Sequence, residues 1–371
     1  MAVLPSHRLA RGVLDFVRQQ TNSALEYTVE TEAILEEPDR LVCDGLIVNV
    51  RAKSMARRMS GLGIPVVNLS GRMNPLPFSS VISDDRATGR LAAEHLMAVG
   101  FKQFAFVGAR ETGYSLRCKD GFARPLLSAA LPQYEMLIEE GRIGHSDVVT
   151  LLAQWIGGLP KPIGIMVDRD DHAPCVLEAC RKADIAIPEQ AALVSAGNNL
   201  SYCLGMVPAL TSVDLNQERI GFEAAALMAR LMAGEPAPVK PIVVEPRRVQ
   251  LRQSSNVLAT HDPVVAAASR FIREHAHESI TIEDVARGVS ISRRSLEAKY
   301  RKSVNRSPHE DLQLVRLERA KDLLDRPELS LAEIALKCGY NYPALMYRAF
   351  HKVLGMTPGE YRRNGCFEKI S

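Results

Sequence analysis

The chain has 371 residues, of which 46% are hydrophobic and 24% are charged, which is the composition of an ordinary globular protein with two or three domains. This composition excludes a mostly disordered, collagen-like or coiled-coil chain, and no apolar run approaches the roughly 18 residues that span a bilayer. The N-terminus lacks the apolar stretch of a secretory signal peptide. The seven cysteines have irregular spacing without a CxxC pair, so we predict reduced thiols in a cytoplasmic protein.

The net charge of +3 is distributed unevenly along the chain. Residues 263–371 include 19 basic and 14 acidic residues, a net charge of +5, whereas the rest of the chain has a net charge of −2. The basic excess is greatest between Ile291 and Arg306, where Glu297 is the only acid. A local positive patch on a nearly neutral chain favours a polyanionic partner, although a solvated basic face is the alternative that charge alone leaves open.

Residues 1–252 alternate short apolar runs, which predict buried strands, with amphipathic segments, which predict helices. The predicted strands are 46–50, 65–69, 104–108, 163–167 and 192–196. The predicted helices are 51–61, 88–100, 174–183 and 217–233. This alternation predicts an α/β sensor domain with two lobes, each a parallel sheet covered by helices. A ligand of such a domain is expected in the crevice beyond the carboxyl ends of the strands.

A polar segment with turn-forming residues, 253–262, is predicted to link this domain to a second one. Residues 263–371 have no strand pattern and predict an all-α domain. A weak repeat supports this prediction, because Thr281–Ala286 matches Ser330–Ala335, 49 positions later, and both begin with a capping-box pattern. Each copy is followed by a short break and a second helix. We therefore predict two helix-turn-helix units, 281–302 and 330–352, joined by one long helix.

The second helix of each unit is predicted to enter the major groove of duplex DNA. In the first unit Leu296 and Tyr300 lie on one face, which we expect to be buried, and the opposite face presents charged side chains. Arginine can bond both acceptors of guanine and glutamate can accept from cytosine, whereas more distant basic residues suit phosphates. The predicted DNA contacts of this unit are Arg293, Arg294, Glu297, Arg301, Lys302 and Arg306.

The second unit is less basic than the first. Its second helix predicts a core of Leu345, Met346, Ala349 and Phe350. Arg348 is the predicted base contact, with Tyr347 beside it, and Lys352 is a predicted phosphate contact. The alternative for both units is a charged surface on a helical bundle.

Residues 263–363 resemble the DNA-binding domain of the AraC/XylS family over about a hundred residues. The motifs that carry the resemblance are Ile280–Ala286, Ile291–Leu296, Val315–Lys321, Leu331–Tyr340 and Phe350–Arg362. Met346 departs from the aromatic residue that is usual in the family, but methionine fills a similar volume. The resemblance implies a sequence-specific DNA-binding regulator of transcription.

The front of the chain resembles the sugar-sensing domain of the LacI/GalR family, which is built like a periplasmic sugar-binding protein. The matching motifs are Val81–Asp85, His95–Gly100, Asp120–Phe122, Leu210–Asp214 and Arg219–Ala225. The order of the two domains resembles that of regulators of xylose operons. The resemblance implies a small-molecule effector such as xylose or a related pentose, a homodimer, and duplex DNA and RNA polymerase as partners. No membrane association is expected, since no apolar run is long enough to span a bilayer. The sequence has no Gly-rich phosphate loop, Ser-His-Asp set or metal-ligand cluster, so we expect no cofactor and no enzymatic activity. The alternative is an enzyme that acts on a sugar and carries a DNA-binding tail.

Sugars are held by carboxylates, amides and guanidinium groups that bond their hydroxyls. The candidates at the expected strand ends are Asp84, Asp85, Arg117, Asp170 and Asn198, for which helix capping is the structural alternative. Gly197 stands where the family often has an acid, and the loss of one charge-assisted hydrogen bond is worth about 1.5–3 kcal/mol. This departure leaves three alternatives for the pocket, which are xylose, another sugar or no ligand. In the last case the protein is an effector-independent regulator whose sensor-like domain only dimerises.

Overall fold

The computed structural model describes residues 2–4, 6–19, 27–29, 43–73, 76–139, 144–260, 262–324, 326 and 328–367. Residue 261 of the predicted linker lies outside these ranges. Two six-stranded sheets with covering helices are followed by seven described helices, so the predicted α/β sensor and all-α domain are both confirmed. Among the described residues no helix is long and apolar enough to cross a membrane.

The N-terminal lobe is built on a parallel sheet with the strand order β11-β5-β4-β3-β1-β2. Its strands are β1 (Ala2–Leu4), β2 (Tyr27–Val29), β3 (Leu46–Val48), β4 (Val66–Asn68), β5 (Ser79–Ser83) and β11 (Ile242–Val244). Its helices are α1 (His7–Val17), α2 (Lys53–Ser60) and α8 (Gln217–Met232). Helices α1 and α8 cross closely because Gly12 has no side chain. A Cβ atom at this position would lie 1.8 Å from the Glu218 carbonyl oxygen.

The C-terminal lobe has the strand order β12-β10-β9-β8-β6-β7, with only β12 antiparallel to its neighbour. Its strands are β6 (Phe104–Ala109), β7 (Gln133–Ile138), β8 (Ile163–Val167), β9 (Ala191–Ala196), β10 (Thr211–Asp214) and β12 (Arg248–Gln250). Its helices are α3 (Asp85–Val99), α4 (Gly113–Ser128), α5 (His145–Gly158), α6 (Ala173–Lys182) and α7 (Leu200–Gly205). Helices α3 and α4 also cross at glycine, since a Cβ atom at Gly121 would meet the Arg86 carbonyl oxygen at 2.0 Å.

The chain crosses between the lobes three times, after β5, after β10 and between β11 and β12. Backbone hydrogen bonds join the crossing segments: the Asp84 amide donates to the Val244 carbonyl (2.8 Å) and the Arg247 amide to the Asp214 carbonyl (2.8 Å). Asn216, in the second crossing, has a left-handed backbone with φ 58°. These crossings bring the carboxyl ends of both sheets together around one cleft.

The helical domain contains two helix-turn-helix units joined by one helix, as predicted. Its helices are α9 (Pro263–His275), α10 (Ile282–Gly288), α11 (Arg293–Val304), α12 (Pro308–Leu324), α13 (Leu331–Lys337), α14 (Pro343–Leu354) and α15 (Pro358–Phe367). Both predicted capping boxes are present, at Thr281 with Asp284 and at Ser330 with Glu333. Each unit has its own apolar core, and α12 contributes to both of them.

The helical domain lies against the C-terminal lobe. Ser254 and Ser255 are buried within this lobe, Ala259 packs into its core, and Leu258 packs into the core of the first unit. On edge strand β12, Gln250 donates to Asp322 of α12 (2.8 Å) and Arg248 donates to the Tyr361 hydroxyl (3.2 Å). Residues 253–260 therefore join the two domains through packed contacts.

Candidate ligand cleft and nucleic-acid interface

A cavity of about 470 Å³ lies between the lobes at the carboxyl ends of the strands. Its volume falls within the range of small-molecule pockets. Residues from both lobes line it, with a mixture of carboxylate, guanidinium, amide and phenol groups. The lining residues with these groups are Asn49, Arg51, Arg72, Asp85, Tyr114, Asp168, Arg169, Asp170, Asp171, Asn199, Tyr202 and Gln217.

Asp85 lines this cavity and is paired with Arg117, which lies behind it and is not a lining residue. The Arg117 guanidinium donates to Asp85 (2.8 Å) and also to the Gly71 carbonyl oxygen of the other lobe (2.7 Å). Burial raises the pKa of the Asp85 carboxyl, and the Arg117 charge acts in the opposite direction. The pair joins the lobes beside a second inter-lobe hydrogen bond, from the Gly113 amide to the Arg72 carbonyl (2.9 Å).

Asp170 lines the cavity, but its carboxylate is already bonded by its own lobe. It accepts hydrogen bonds from the Ser195 hydroxyl, the Ser212 hydroxyl (2.6 Å) and the Asn199 amide (2.7 Å). Gly197 has φ 133°, and a Cβ atom there would lie 2.7 Å from an Asp170 carboxylate oxygen. An acid at position 197 would therefore clash with Asp170, so the carboxylate of Asp170 occupies the space that the missing side chain would need.

Three of the predicted ligand residues have structural partners and do not line the cavity in the described part of the chain, namely Asp84, Arg117 and Asn198. Asp84 caps α3 by accepting from the Ala87 amide (2.9 Å). Asn198 accepts from the Arg252 guanidinium (2.6 Å) and donates to Asp214 (3.3 Å). The capping alternative describes the geometry of Asp84, and the neighbouring Asn199 takes the place at the cavity that was expected for Asn198.

Sequence reasoning missed the charged residues on either side of Asp170. Arg169 and Asp171 form an ion pair with a hydrogen bond of 2.8 Å, and the Arg169 guanidinium lies 5.6 Å from the centre of the Tyr114 ring. Such a separation allows a cation–π contact. The signal that could have found them is the charged run 168–172 immediately after the buried strand β8.

His172 and Asp168 form a hydrogen-bonded pair beneath the cavity, with 2.7 Å between His172 Nδ1 and an Asp168 oxygen. Burial alone lowers the pKa of His172, but the hydrogen bond and charge of Asp168 outweigh it and leave that pKa above its ordinary value. Burial would raise the pKa of Asp168, but its bonds to His172 and to the Ala109 amide leave that pKa below its ordinary value.

The stability of the C-terminal lobe should depend on pH through this pair. The folded state holds the His172 proton more tightly, so the stabilisation is complete below the ordinary histidine pKa and is lost as pH rises through the raised value. The melting temperature of His172→Gln should therefore fall further below that of the wild type at about pH 5.5 than at about pH 9. His145→Gln, at an exposed pair with Glu178 in the same lobe, is the control and should show little effect. An equal difference at both pH values would contradict the assignment.

The face of α11 that was predicted to meet DNA is exposed and is not covered by the sensor. Arg294, Arg301 and Lys302 point outward, while Leu296 and Tyr300 are buried as predicted. Arg293 instead donates to Glu297 (2.8 Å) and to Glu283 of the preceding helix. These acids fix its direction, so Arg294 is the cation on this face that is best placed to reach a base.

Arg306, a predicted phosphate contact, donates to the Ala98 carbonyl oxygen at the end of α3 (2.7 Å). In the second unit Met346 and Phe350 are fully buried, whereas Tyr347, Arg348 and Lys352 are exposed. The prediction that Leu345 belongs to the core is wrong, because its exposed fraction is 40%. Met346 and Phe350 define the buried side of α14, and position 345 therefore lies at the edge of its outward face.

Comparison with known proteins gives matches to both parts of the chain. Residues 69–255 match the family described as a periplasmic binding protein-like domain, and residues 285–364 match a helix-turn-helix domain. The xylose operon regulatory protein of Escherichia coli strain K12 is 30% identical over 329 residues, which are 86% of this chain and 83% of that protein. The Haemophilus influenzae protein of the same name is 28% identical over 91% of this chain and 89% of its own.

The solved structure of the xylose-binding transcription activator xylR is also similar to this chain. It is 26% identical, covers 98% of this chain and 97% of its own, and has a TM-score of 0.63. A LacI family regulator from Enterococcus faecium with bound ribose is 19% identical over 68% of this chain, with a TM-score of 0.53, and shows that the sensor shares that fold.

Proposed function

The chain belongs to the family of the xylose operon regulatory proteins and is a DNA-binding regulator of transcription, and from this premise we propose that a sugar bound between its lobes controls how its two helix-turn-helix units meet DNA. One observation carries the proposal. Strand β12 directly follows the third crossing between the lobes, and its Gln250 and Arg248 bond residues of the helical domain. A change in the angle between the lobes therefore acts on the surface that holds the DNA-binding units.

We propose a pentose, with xylose as the first candidate, as the effector. The cavity offers the guanidinium of Arg169, the carboxylate of Asp171, the amides of Asn199 and Gln217, and the ring of Tyr114. Such groups suit the hydroxyls and the apolar face of a small sugar. Arg117 holds Asp85 in the cavity wall by a hydrogen bond. Asp170 fixes the loop that contains Asn199 by accepting a hydrogen bond from the Asn199 amide. A ligand shifts the protein only by binding one arrangement of the lobes better than the other.

Thermal shift with a panel of pentoses tests the sensing function. One pentose should raise the melting temperature of the wild type, because a ligand that binds the folded state alone stabilises it. Asp171→Ala should lose this response. Asp120→Ala should retain it, since Asp120 is an exposed carboxylate of the same lobe that does not line the cavity. If no pentose raises the melting temperature or changes DNA binding, the effector-independent regulator becomes the better description.

We propose that DNA is read by Arg294 and Arg348 and that phosphates are bound by Arg301, Lys302 and Lys352. Support comes from their exposure on α11 and α14 and from the match of residues 285–364 to a helix-turn-helix domain. Arg293 and Glu297 orient each other, Tyr347 lies beside Arg348, and Arg306 also donates to the Ala98 carbonyl oxygen of the sensor.

We place the sensor at 1–252, the linker at 253–262 and the DNA-binding domain at 263–371, which agrees with the start of α9 at Pro263.

We further propose that two copies of the chain associate through the C-terminal lobe. On and just after α7, Leu200, Leu204 and Val207 are large apolar residues with exposed fractions of 54%, 62% and 74%. Leu200 and Leu204 are four residues apart and lie on one face of α7, and exposed apolar residues grouped in this way are typical of a protein interface.

Leu204→Glu should convert the protein from dimer to monomer in light scattering after size-exclusion chromatography, because a buried unpaired carboxylate is costly at an interface. Leu127→Glu is the matched control, since Leu127 is equally exposed on α4 of the same lobe. Dimers that persist in Leu204→Glu would place the interface elsewhere.

Three further proposals concern partners, location and chemistry. We propose RNA polymerase as a partner, which is supported by the similarity to a xylose-binding transcription activator. We propose a cytoplasmic location, which the free thiols of the six described cysteines support. We propose that the ligand is bound without being transformed, because the relatives are transcription regulators and the carboxylates of Asp85 and Asp170 are already engaged by neighbouring donors.

A further inference from the structure

The two helix-turn-helix units can be aligned position by position. Both buried pairs, Leu296 with Tyr300 and Met346 with Phe350, are four residues apart, and the second pair follows the first by 50 positions. The capping boxes are offset by 49, so the turn of the second unit is one residue longer. An offset of 50 therefore relates the outward faces of α11 and α14.

The aligned faces have different chemistry. Arg294 and Ser295 of α11 correspond to Ala344 and Leu345 of α14, and all four are exposed. Lys302 corresponds to Lys352, so the basic residue at the end of the helix is kept in both units. Within the described residues of the helical domain, every exposed large hydrophobic residue lies between the start of α13 and the end of α14, and those on α14 are Leu345, Tyr347 and Val353.

We propose that the second unit reads the 5-methyl groups of thymine through Ala344 and Leu345. This inference rests on the proposed function, namely that the outward face of α14 enters the major groove. There the thymine methyl is the one apolar group on a base edge, and an aliphatic side chain is its natural contact. Specificity in the second half-site then comes from these apolar contacts together with Arg348, whereas in the first half-site it comes from Arg294.

Charge complementarity favours DNA over a protein partner as the occupant of this face. Arg348 and Lys352 lie on the same outward side of α14 as Leu345 and are exposed. Cations spaced by one helical turn along an apolar edge suit a groove that has phosphates on its rims and methyl groups on its floor. A protein surface that covered Leu345 would have to meet both cations as well.

Replacing thymine by deoxyuridine tests the proposal, since this change removes only the 5-methyl group. Duplexes are first selected from a random pool with the full-length protein, and repeating the selection with Leu345→Ser identifies the half-site that depends on α14. Deoxyuridine in that half-site should weaken wild-type binding about fourfold per contacted methyl, which is the factor for burying one methyl-sized group. Deoxyuridine in the other half-site should have no effect.

Leu345→Ser supplies the residue that stands at the aligned position of the first unit. It should lose the methyl dependence at the thymine that Leu345 contacts and keep the dependence at the thymine that Ala344 contacts. Leu336→Ser is the control, because Leu336 is an exposed leucine on α13 (61%), and it should retain the methyl dependence. Wild-type binding without methyl dependence in either half-site overturns this inference alone. If no duplex is retained in the selection, the proposed DNA binding fails with it.

Discussion

Replacing Asp311 by alanine should destabilise the DNA-binding domain by about 3–5 kcal/mol, the cost of leaving one charge of a buried pair without its partner. Asp311 is 1% exposed on α12 and accepts hydrogen bonds from Ser269 (3.0 Å), Arg273 (3.3 Å) and the Tyr300 hydroxyl (3.3 Å). These donors belong to α9 and α11, so the carboxylate holds three helices of the first unit together. Without it, the Arg273 guanidinium loses its ionic partner and the Tyr300 hydroxyl loses an acceptor inside the first unit.

The single tryptophan of the chain allows this loss to be localised. Trp155 packs against the core of the C-terminal lobe, so its fluorescence follows the unfolding of the sensor, whereas far-ultraviolet circular dichroism follows all helices. In Asp311→Ala the dichroism should gain an early transition in urea while the fluorescence transition stays in place. Asp311→Asn should be less affected because it keeps an acceptor. Glu318→Ala, at a surface pair on the same helix, should cost less than about 1 kcal/mol. A single shifted transition seen by both probes would mean that the domains unfold together.

Five buried strands were predicted because burial on both faces leaves a continuous apolar run, whereas the buried strands β5 and β10 contain polar residues and were not predicted. Residues 163–167 coincide with β8, and all five are buried. Strand β7 was not predicted, since Gln133–Ile138 lies at the edge of its sheet and several of its side chains are half exposed. The capping boxes were predicted because each is complete within four residues, and no tertiary contact is needed to form it.

The ligand cleft was predicted only in part, for a physical reason. A carboxylate at the start of a helix can cap that helix or face a ligand, and the sequence is the same in both cases. Asp84 and Asp85 are adjacent, yet the first caps α3 and the second pairs with Arg117 at the cavity. Asn49 and Gln217 reach the cavity only because the crossings between the lobes bring distant segments together, and no local pattern signals this.

Arg306 was predicted from charge alone, and charge does not distinguish a phosphate from a carbonyl oxygen. Its guanidinium meets the last turn of α3, where unpaired carbonyl groups attract a cation. The same residue thus belongs both to the basic stretch 291–306 and to the contact between the domains. A protein that alters DNA binding through its sensor needs such shared contacts, because two independent surfaces would not be coupled.

Arg294→Ala should lower the affinity for the selected duplex by about 1–3 kcal/mol and relax the preference at one base pair, if this side chain bonds guanine. Lys302→Ala should weaken binding to all sequences alike and reduce the salt dependence by about one phosphate contact. The two residues are a matched pair, since both are exposed cations on α11 with no hydrogen bond or ion pair among the described residues. They differ in position, with Arg294 in the first turn and Lys302 in the last.

Titrations at three salt concentrations, with the duplex and with its single-base variants, separate these two effects. Arg293→Ala adds a third comparison, because its guanidinium is already held by Glu283 and Glu297 and has less freedom to bond a base. Its loss should therefore change specificity less than the loss of Arg294. If Arg294→Ala and Lys302→Ala alter specificity and salt dependence in the same way, then α11 lies along the phosphates instead of inside the groove, because only a helix in the groove makes its first turn and its last turn differ in this way.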